Sequence, residues 1–366
     1  MARKKHIRPA GQIVQLAHES KVLRGNPLGD PADRTLTVWL PPGYRAGGKG
    51  LPVMFDLVGY TGSGLSHTAW SNFSENVPER LDRLTHEGRL GPCIFVFPDC
   101  FTALGGNQYI NSSAIGRYAD YLTRELIPTV DREFNTLAEP AHRACFGKSS
   151  GGYGAIVHGM RYSDYWGAIA NHSGDAYFDF VYRSDWPRTL THLGEFRPRP
   201  REAGRYGDGA SKTREQALRR GMDDGRVKAF LEHIWHKDKP SGDEIMTLML
   251  IAMAATYDPD PKAPNGFRLP FHLETGALLD ARWRRWLAQD PIHMVAEHSK
   301  ALRSLRAIWI DCGWRDQYHI HFGTRALSAA LARRNIRHRY EEFPDTHSGI
   351  DYRMDLSLPF LYRAIR

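Results

Sequence analysis

The feature that most constrains this 366-residue chain is a repeated change of period. Short apolar runs, each ended by a turn signal, alternate with segments whose apolar residues recur every three or four positions. Val53-Met-Phe-Asp-Leu-Val58 and Cys93-Ile-Phe-Val-Phe-Pro98 are runs of the first kind, as expected of strands covered on both faces. Arg143-Ala-Cys-Phe146, Trp166-Gly-Ala-Ile-Ala170, Ala307-Ile-Trp-Ile310 and His338-Arg-Tyr-Glu-Glu-Phe343 continue the series. Helical spacing predicts helices over 79–87, 113–130, 151–160 and 321–333. Residues 34–40 alternate like a strand and stop at Pro41-Pro42-Gly43, with 11–23 as their expected partner. Parallel strands joined by crossover helices satisfy this order, so a mostly parallel, doubly wound α/β sheet is predicted, with reactive loops at the carboxyl ends of its strands.

Between about 176 and 301 the rhythm breaks. A polar Arg/Gly-rich part gives way to helical patterns at 214–236 and 241–255, which reads as a helical cap inserted between a first core part, 1–175, and a last one, 302–366. Hydrophobic residues at 42% and charged residues at 25% match ordinary globular usage, which argues against a disordered chain. The basic start lacks the apolar stretch of a signal peptide, and the longest apolar run, 246–255, is too short to span a bilayer; a cytoplasmic protein without membrane contact is expected. Four cysteines without CxxC spacing point to reduced thiols rather than a zinc ribbon. The net charge of +8 is richest in arginine over 197–220, but no nucleic-acid module accompanies it, so it reads as solvated surface and no nucleic-acid partner is expected.

Chemistry enters after the strand ending at Phe146. Gly147-Lys-Ser-Ser-Gly151 is G-x-S-x-G in a strand-turn-helix context, where small neighbours permit a sharp bend that exposes the serine hydroxyl. Ser149 is the expected nucleophile. The rival reading, a phosphate-binding loop ending in Gly147-Lys148-Ser149, lacks its first glycine, since His142 stands there. A hydroxyl nucleophile needs a base, and in this arrangement the acid and then the histidine follow downstream. Asp311-Cys-Gly-Trp-Arg-Asp316 follows one strand and His347 follows the last, with one helix and one strand between them, which returns the chain to the same edge. Asp316 is preferred to Asp311 as the acid because Asp311 closes the strand while Asp316 lies on the loop. Oxyanion donors are expected at the N–H of Ser150 and of Tyr60, with Gly59 allowing the backbone to turn.

These residues resemble the esterase family of α/β hydrolases that includes esterase D, enterochelin-esterase-like proteins and mycolyltransferases. The likeness is carried by Leu57-Val-Gly-Tyr60, Gly147-Lys-Ser-Ser-Gly-Gly152, Asn171-His-Ser-Gly-Asp175, Asp311-Cys-Gly-Trp-Arg-Asp316 and Thr346-His-Ser348. The resemblance implies an α/β-hydrolase fold, Asp316 as the triad acid and the residue after Gly59 as an oxyanion donor. Many relatives carry His-Gly where this chain has Val58-Gly59. The loop Gly105-Gly-Asn-Gln-Tyr-Ile-Asn-Ser112 resembles the family's substrate-facing loop, making Gln108, Tyr109 and Asn111 candidates for substrate contact. His172 and Asp175 lie near the same edge and are read as bracing it.

Met246, Met249, Leu250 and Met253 form an apolar helix face that packs on the core or lines an acyl pocket. His319 and His321 are spaced wrongly to share a helix face, and His233 and His236 lack H-E-x-x-H, so no metal and no cofactor are inferred. The expectation is a serine carboxylic ester hydrolase acting on a small-molecule ester through an acyl-enzyme. Acyl transfer to an alcohol or sugar, or a non-catalytic binding role on the same fold, are the alternatives, and homo-oligomerisation is left open.

Overall fold

The computed structural model describes residues 10–198 and 223–366. Its main sheet contains β1 (Gln12–Glu19), β2 (Asp33–Leu40), β3 (Val53–Leu57), β4 (Ile94–Phe97), β5 (Arg143–Lys148), β6 (Ala168–His172), β7 (Ala307–Gly313) and β8 (Arg339–Phe343). They lie in the order β1-β2-β4-β3-β5-β6-β7-β8. β1 on β2 and β2 on β4 are antiparallel, and every other pairing is parallel. The doubly wound sheet predicted from the alternation is the architecture observed. β3, β4, β6 and β7 are buried along their whole length, which is why their sequences are nearly continuous in apolar residues. β1 forms the edge and stays half exposed.

Five helices position the site: α1 (Val77–His86), α2 (Ser150–Arg161), α3 (Gly242–Tyr257), α4 (Ile320–Ala332) and α5 (Met354–Ile365). α1 and α5 cover one face of the sheet, packing Leu81, Leu84, Leu358 and Leu361 on Phe95, Phe146 and Trp309. α2 and α4 cover the other, together with α3. The starts of α1 and α3 are fixed by reciprocal caps, Asn76 with Glu79 and Ser241 with Glu244, each satisfying otherwise orphaned N–H groups.

Two expected elements shift. β6 begins two residues later than the run at 166 suggested, because Trp166 belongs to the preceding turn, where its indole N–H donates to His158 Nδ1 at 3.0 Å and its ring meets Phe55 edge-on. The helix expected over 113–130 starts at Tyr118 and runs to Glu133. Before it, Asn111–Ser112 pairs with Gly116–Arg117 in a small hairpin, and Gly116, at φ +148°, makes the break.

The described residues between β6 and β7 form the helices Phe178–Val181, Trp186–Gly194, Arg226–Trp235, α3, Asp280–Leu287, Pro291–Met294 and Ser299–Ser304, with turns and isolated bridges between α3 and Asp280. The first part of the helix expected over 214–236, and most of the Arg-rich stretch, lie outside the described residues. This insertion shares the apolar core of the sheet, since Phe178, Tyr182, Met253, Tyr257 and Trp286 join the same buried cluster as Tyr153 and Ile156. The helix Ser299–Ser304 runs across the boundary expected at 301 and packs on α2. Buried Asp290 ties the two ends of the insertion together by accepting from Phe178 N–H at 2.8 Å. No helix among the described residues is long and apolar enough to cross a membrane. The four cysteines are free and buried.

Candidate active site

Parallel pairing brings the ends of β3, β5, β6, β7 and β8 to one edge: Leu57 lies beside Gly147, His172 beside Asp311, and Phe343 beside Gly313. The chain leaves β5 through Ser149, whose φ of 57° and ψ of −122° fall in a region that costs a non-glycine residue about 1–3 kcal/mol. The neighbours that hold this bend must be small. A Cβ on Gly147 would sit 2.2 Å from the Leu57 carbonyl oxygen, and one on Gly151 only 1.7 Å from it. Ser149 N–H donates to His172 C=O at 3.0 Å, so the bend is anchored to β6 as well.

His347 and Ser149 line the same cavity. On its other side the imidazole meets Asp316, with Nδ1 2.7 Å from Oδ2. An ionised carboxylate only accepts, so Nδ1 carries the proton and Nε2 is the nitrogen left for chemistry. Asp316 is buried, and its Oδ1 accepts from Tyr318 N–H at 2.9 Å while the Cys312 thiol points at Oδ2 from 3.7 Å. The histidine loop is held in turn: His347 N–H donates to Gln317 Oε1 at 3.0 Å, and the Tyr318 ring packs edge-on against the imidazole. Acid and histidine loops interlock through Trp314 N–H to Phe343 C=O and Arg315 N–H to Asp345 C=O, each 3.0 Å. Gly313 permits that approach, because a Cβ there would lie 2.3 Å from Asp345 O.

Asp311 is engaged elsewhere. Its Oδ1 meets His172 Nδ1 at 2.6 Å and its Oδ2 accepts from Arg353 Nε at 2.9 Å, while His172 Nε2 contacts Ser357 Oγ. Asp311 therefore belongs to a sealed bracing pair between β6, β7 and the turn before α5.

The N–H groups of Tyr60 and Ser150 have no acceptor among the described residues, and Tyr60 lines the cavity next to Ser149. Gly59 does not supply the turn expected of it. Its φ is not in the left-handed region, and a Cβ there would make only ordinary 3.5 Å contacts. The glycines the loop requires are Gly105 and Gly106, which lie behind Tyr60; a Cβ on Gly106 would fall 2.3 Å from Tyr60 O. Gly106 N–H donates to Tyr60 C=O, and the Tyr60 hydroxyl donates to Leu104 C=O, both at 2.6 Å.

The three candidates for substrate contact do not reach the cavity wall. Gln108 is buried, and its Nε2 donates to Ser150 Oγ at 2.9 Å and Asp175 Oδ2 at 3.1 Å. Tyr109 is buried too, with its hydroxyl donating to Val58 C=O at 2.7 Å. Asn111 sits in the small hairpin, where its Oδ1 accepts from Asp120 N–H at 3.1 Å. Gln108 and Tyr109 turn inward and support the bend from behind, whereas Asn111 is exposed on the hairpin.

The cavity encloses about 210 Å³. Ile245, Met246 and Met249 of α3 form its apolar wall with Val181 and Ile320, whereas Leu250 and Met253 face the core. The apolar face of α3 is thus divided between lining and packing. Asp175, Tyr182 and Tyr318 supply polar wall groups that the motif spacing did not single out as lining, although Asp175 lies in the motif Ser-Gly-Asp.

A family model described as "Putative esterase" matches residues 31–359, spanning every strand of the sheet except β1. The chain belongs to that esterase family. Among curated relatives of this esterase-family chain, Esterase Rv1288 of Mycobacterium tuberculosis (strain ATCC 25618 / H37Rv) is 30% identical over 148 residues, covering 38% of this chain and 29% of the relative. The Uncharacterized protein YbbA of Bacillus subtilis (strain 168) is 23% identical over 165 residues, covering 40% of this chain and 59% of its own length. The match thus spans less than two thirds of either relative. Among solved structures, a ferulic acid esterase superposes with a TM-score of 0.58 at 17% identity, covering 97% of this chain and 98% of that one. An S-formylglutathione hydrolase from Agrobacterium tumefaciens gives a TM-score of 0.52 at 15% identity, covering 99% of both chains. At such identities the likeness concerns the fold, which is that of the α/β hydrolases.

Proposed function

We propose that this esterase-family protein is a serine hydrolase of small-molecule carboxylic esters, with Ser149 as nucleophile, His347 as general base and Asp316 as its orienting acid. The observation that carries the reading is the 2.7 Å Asp316–His347 hydrogen bond, formed by an imidazole that shares one cavity with a serine at a strained strand-to-helix bend. Ser149 Oγ attacks the ester carbonyl carbon as His347 Nε2 takes its proton, and the carbonyl oxygen becomes an anion. The N–H groups of Tyr60 and Ser150 receive that oxyanion, aided by the positive end of α2. Collapse breaks the ester C–O bond, and His347 returns its proton to the leaving alcohol. Water then attacks the acyl-serine by the same route and releases the acid.

The test compares wild type with Ser149→Ala and His347→Ala on p-nitrophenyl acyl esters. Turnover should fall by several powers of ten in each variant, leaving only the acceleration due to binding and oxyanion stabilisation. A Ser149→Ala protein with undiminished turnover would end the proposal. Product analysis with added alcohols measures how the acyl group divides between water and other acceptors.

A further inference from the structure

Asp175 follows β6 and lies on the cavity wall, with the residue only 5% exposed. One carboxylate oxygen is fully occupied: Oδ2 accepts from the Tyr182 hydroxyl at 2.8 Å and from Gln108 Nε2 at 3.1 Å. The other, Oδ1, has no hydrogen-bond partner among the described residues, yet it is not among the sealed unpaired atoms and so keeps some accessible surface, on a residue that lines the cavity. A carboxyl group so deeply set, rigidly held by one oxygen and open at the other, is arranged to meet something that enters the cavity. The bond-breaking steps above leave it without a role.

We propose that Asp175 Oδ1 is a recognition point for a hydroxyl group carried by the ester, so that the enzyme favours hydroxylated esters. The inference rests on the reading of Ser149 and His347 as the reacting pair in the same cavity. Burial pushes the Asp175 pKa upward, while Tyr182, Gln108 and His347 pull it back, with Asp316 adding to the rise. When ionised, Oδ1 accepts a hydrogen bond; when protonated, the proton resides on Oδ1, because Oδ2 already accepts two, and Oδ1 donates. A hydroxyl complements both states. An ammonium group fits only the ionised acid, and an ether or carbonyl only the protonated one. The apolar wall of Ile245, Met246 and Met249 suits the hydrocarbon between that hydroxyl and the ester.

The experiment measures kcat/KM for two series of methyl esters: butyrate with 3-hydroxybutyrate, and 3-phenylpropionate with its 4-hydroxy, 4-methoxy and 4-aminomethyl derivatives. In at least one series the wild-type enzyme should prefer the hydroxylated ester to its deoxy or methoxy counterpart by about tenfold or more. In Asp175→Leu, a side chain of similar shape that neither accepts nor donates, the preference should collapse toward unity whatever the absolute rates. A melting curve checks that the variant is folded, and the wild-type comparison needs no variant. The proposal is overturned by a wild type that shows no hydroxyl preference in either series or accepts no hydroxylated member. Selection of the ammonium ester, or a preference that survives in folded Asp175→Leu, overturns it too. An active wild type that depends on Ser149 but ignores hydroxyls sinks only this inference, whereas activity that survives Ser149→Ala sinks the esterase reading beneath it.

Discussion

The main-chain carbonyl of Tyr60 accepts a hydrogen bond from Gly106 N–H at 2.6 Å, and no side chain fits at position 106 without striking that carbonyl. The loop after β4 therefore sets the position of the N–H proposed to receive the oxyanion. Gly106→Ala should push Tyr60 out of place and lower kcat by about 10²-fold, approaching the loss of a whole oxyanion donor, with a smaller effect on KM. Steady-state kinetics on a single ester checks this, and unchanged kcat would show that Tyr60 does not serve the oxyanion.

Asp311 lies within β7 and Asp316 on the loop just after it, and they hold different partners, the His172–Arg353 pair and His347. Asp316→Asn should lower kcat by about 10³–10⁴-fold while the protein stays folded, because the imidazole loses its orientation and the stabilisation of its cation. Asp311→Asn should retain far more turnover than Asp316→Asn and lose stability instead. A reversed outcome would exchange the two roles.

The Asp311 carboxyl is held below its ordinary value of 3.8, for although burial pushes it up, His172 and Arg353 outweigh that push. A carboxylate with a lowered folded-state pKa stabilises the fold fully above its unfolded value, and that contribution is lost as the pH falls through the folded value. The gap in Tm between wild type and Asp311→Asn should accordingly be largest well above the ordinary value of 3.8 and close as the pH falls through the lowered folded value beneath it. Melting curves across that range decide it; a gap independent of pH would mean the carboxylate charge is immaterial.

Asp56, on β3, is sealed from solvent and meets His67 Nδ1 at 2.6 Å, while its Oδ1 has no hydrogen-bond partner among the described residues. Removing the imidazole strands a buried carboxylate. His67→Ala should cost about 3–5 kcal/mol in denaturant unfolding, and His67→Gln, which can still donate to Asp56, appreciably less. Equal losses would show that packing rather than the charge pair matters there.

All four thiols are buried, and burial pushes each of their pKa values up, including Cys312 beside Asp316. Thiolate is the reactive form, so iodoacetamide should neither label nor inactivate the native protein at neutral pH. Mass spectrometry after incubation tests this; rapid modification of Cys312 with loss of activity would reveal an opening toward the acid loop.

Read locally, the chain was highly informative. The two-sided apolar runs determined a mostly parallel sheet, because a strand covered by helices on both faces has no polar side to show. Gly147-Lys-Ser-Ser-Gly151 determined a bend that only small neighbours can make, and the position of His347 after the last strand placed it at the same edge. What sequence could not settle were contacts between segments far apart in the chain. That Gln108 and Tyr109 turn inward, that Gly106 rather than Gly59 shapes the Tyr60 loop, and that Asp175 stands on the cavity wall held through Oδ2 by Gln108 and Tyr182 all depend on close packing of distant backbones. Periodicity reports which face a residue prefers, whereas partners separated by tens or hundreds of residues are chosen by the assembled tertiary structure alone.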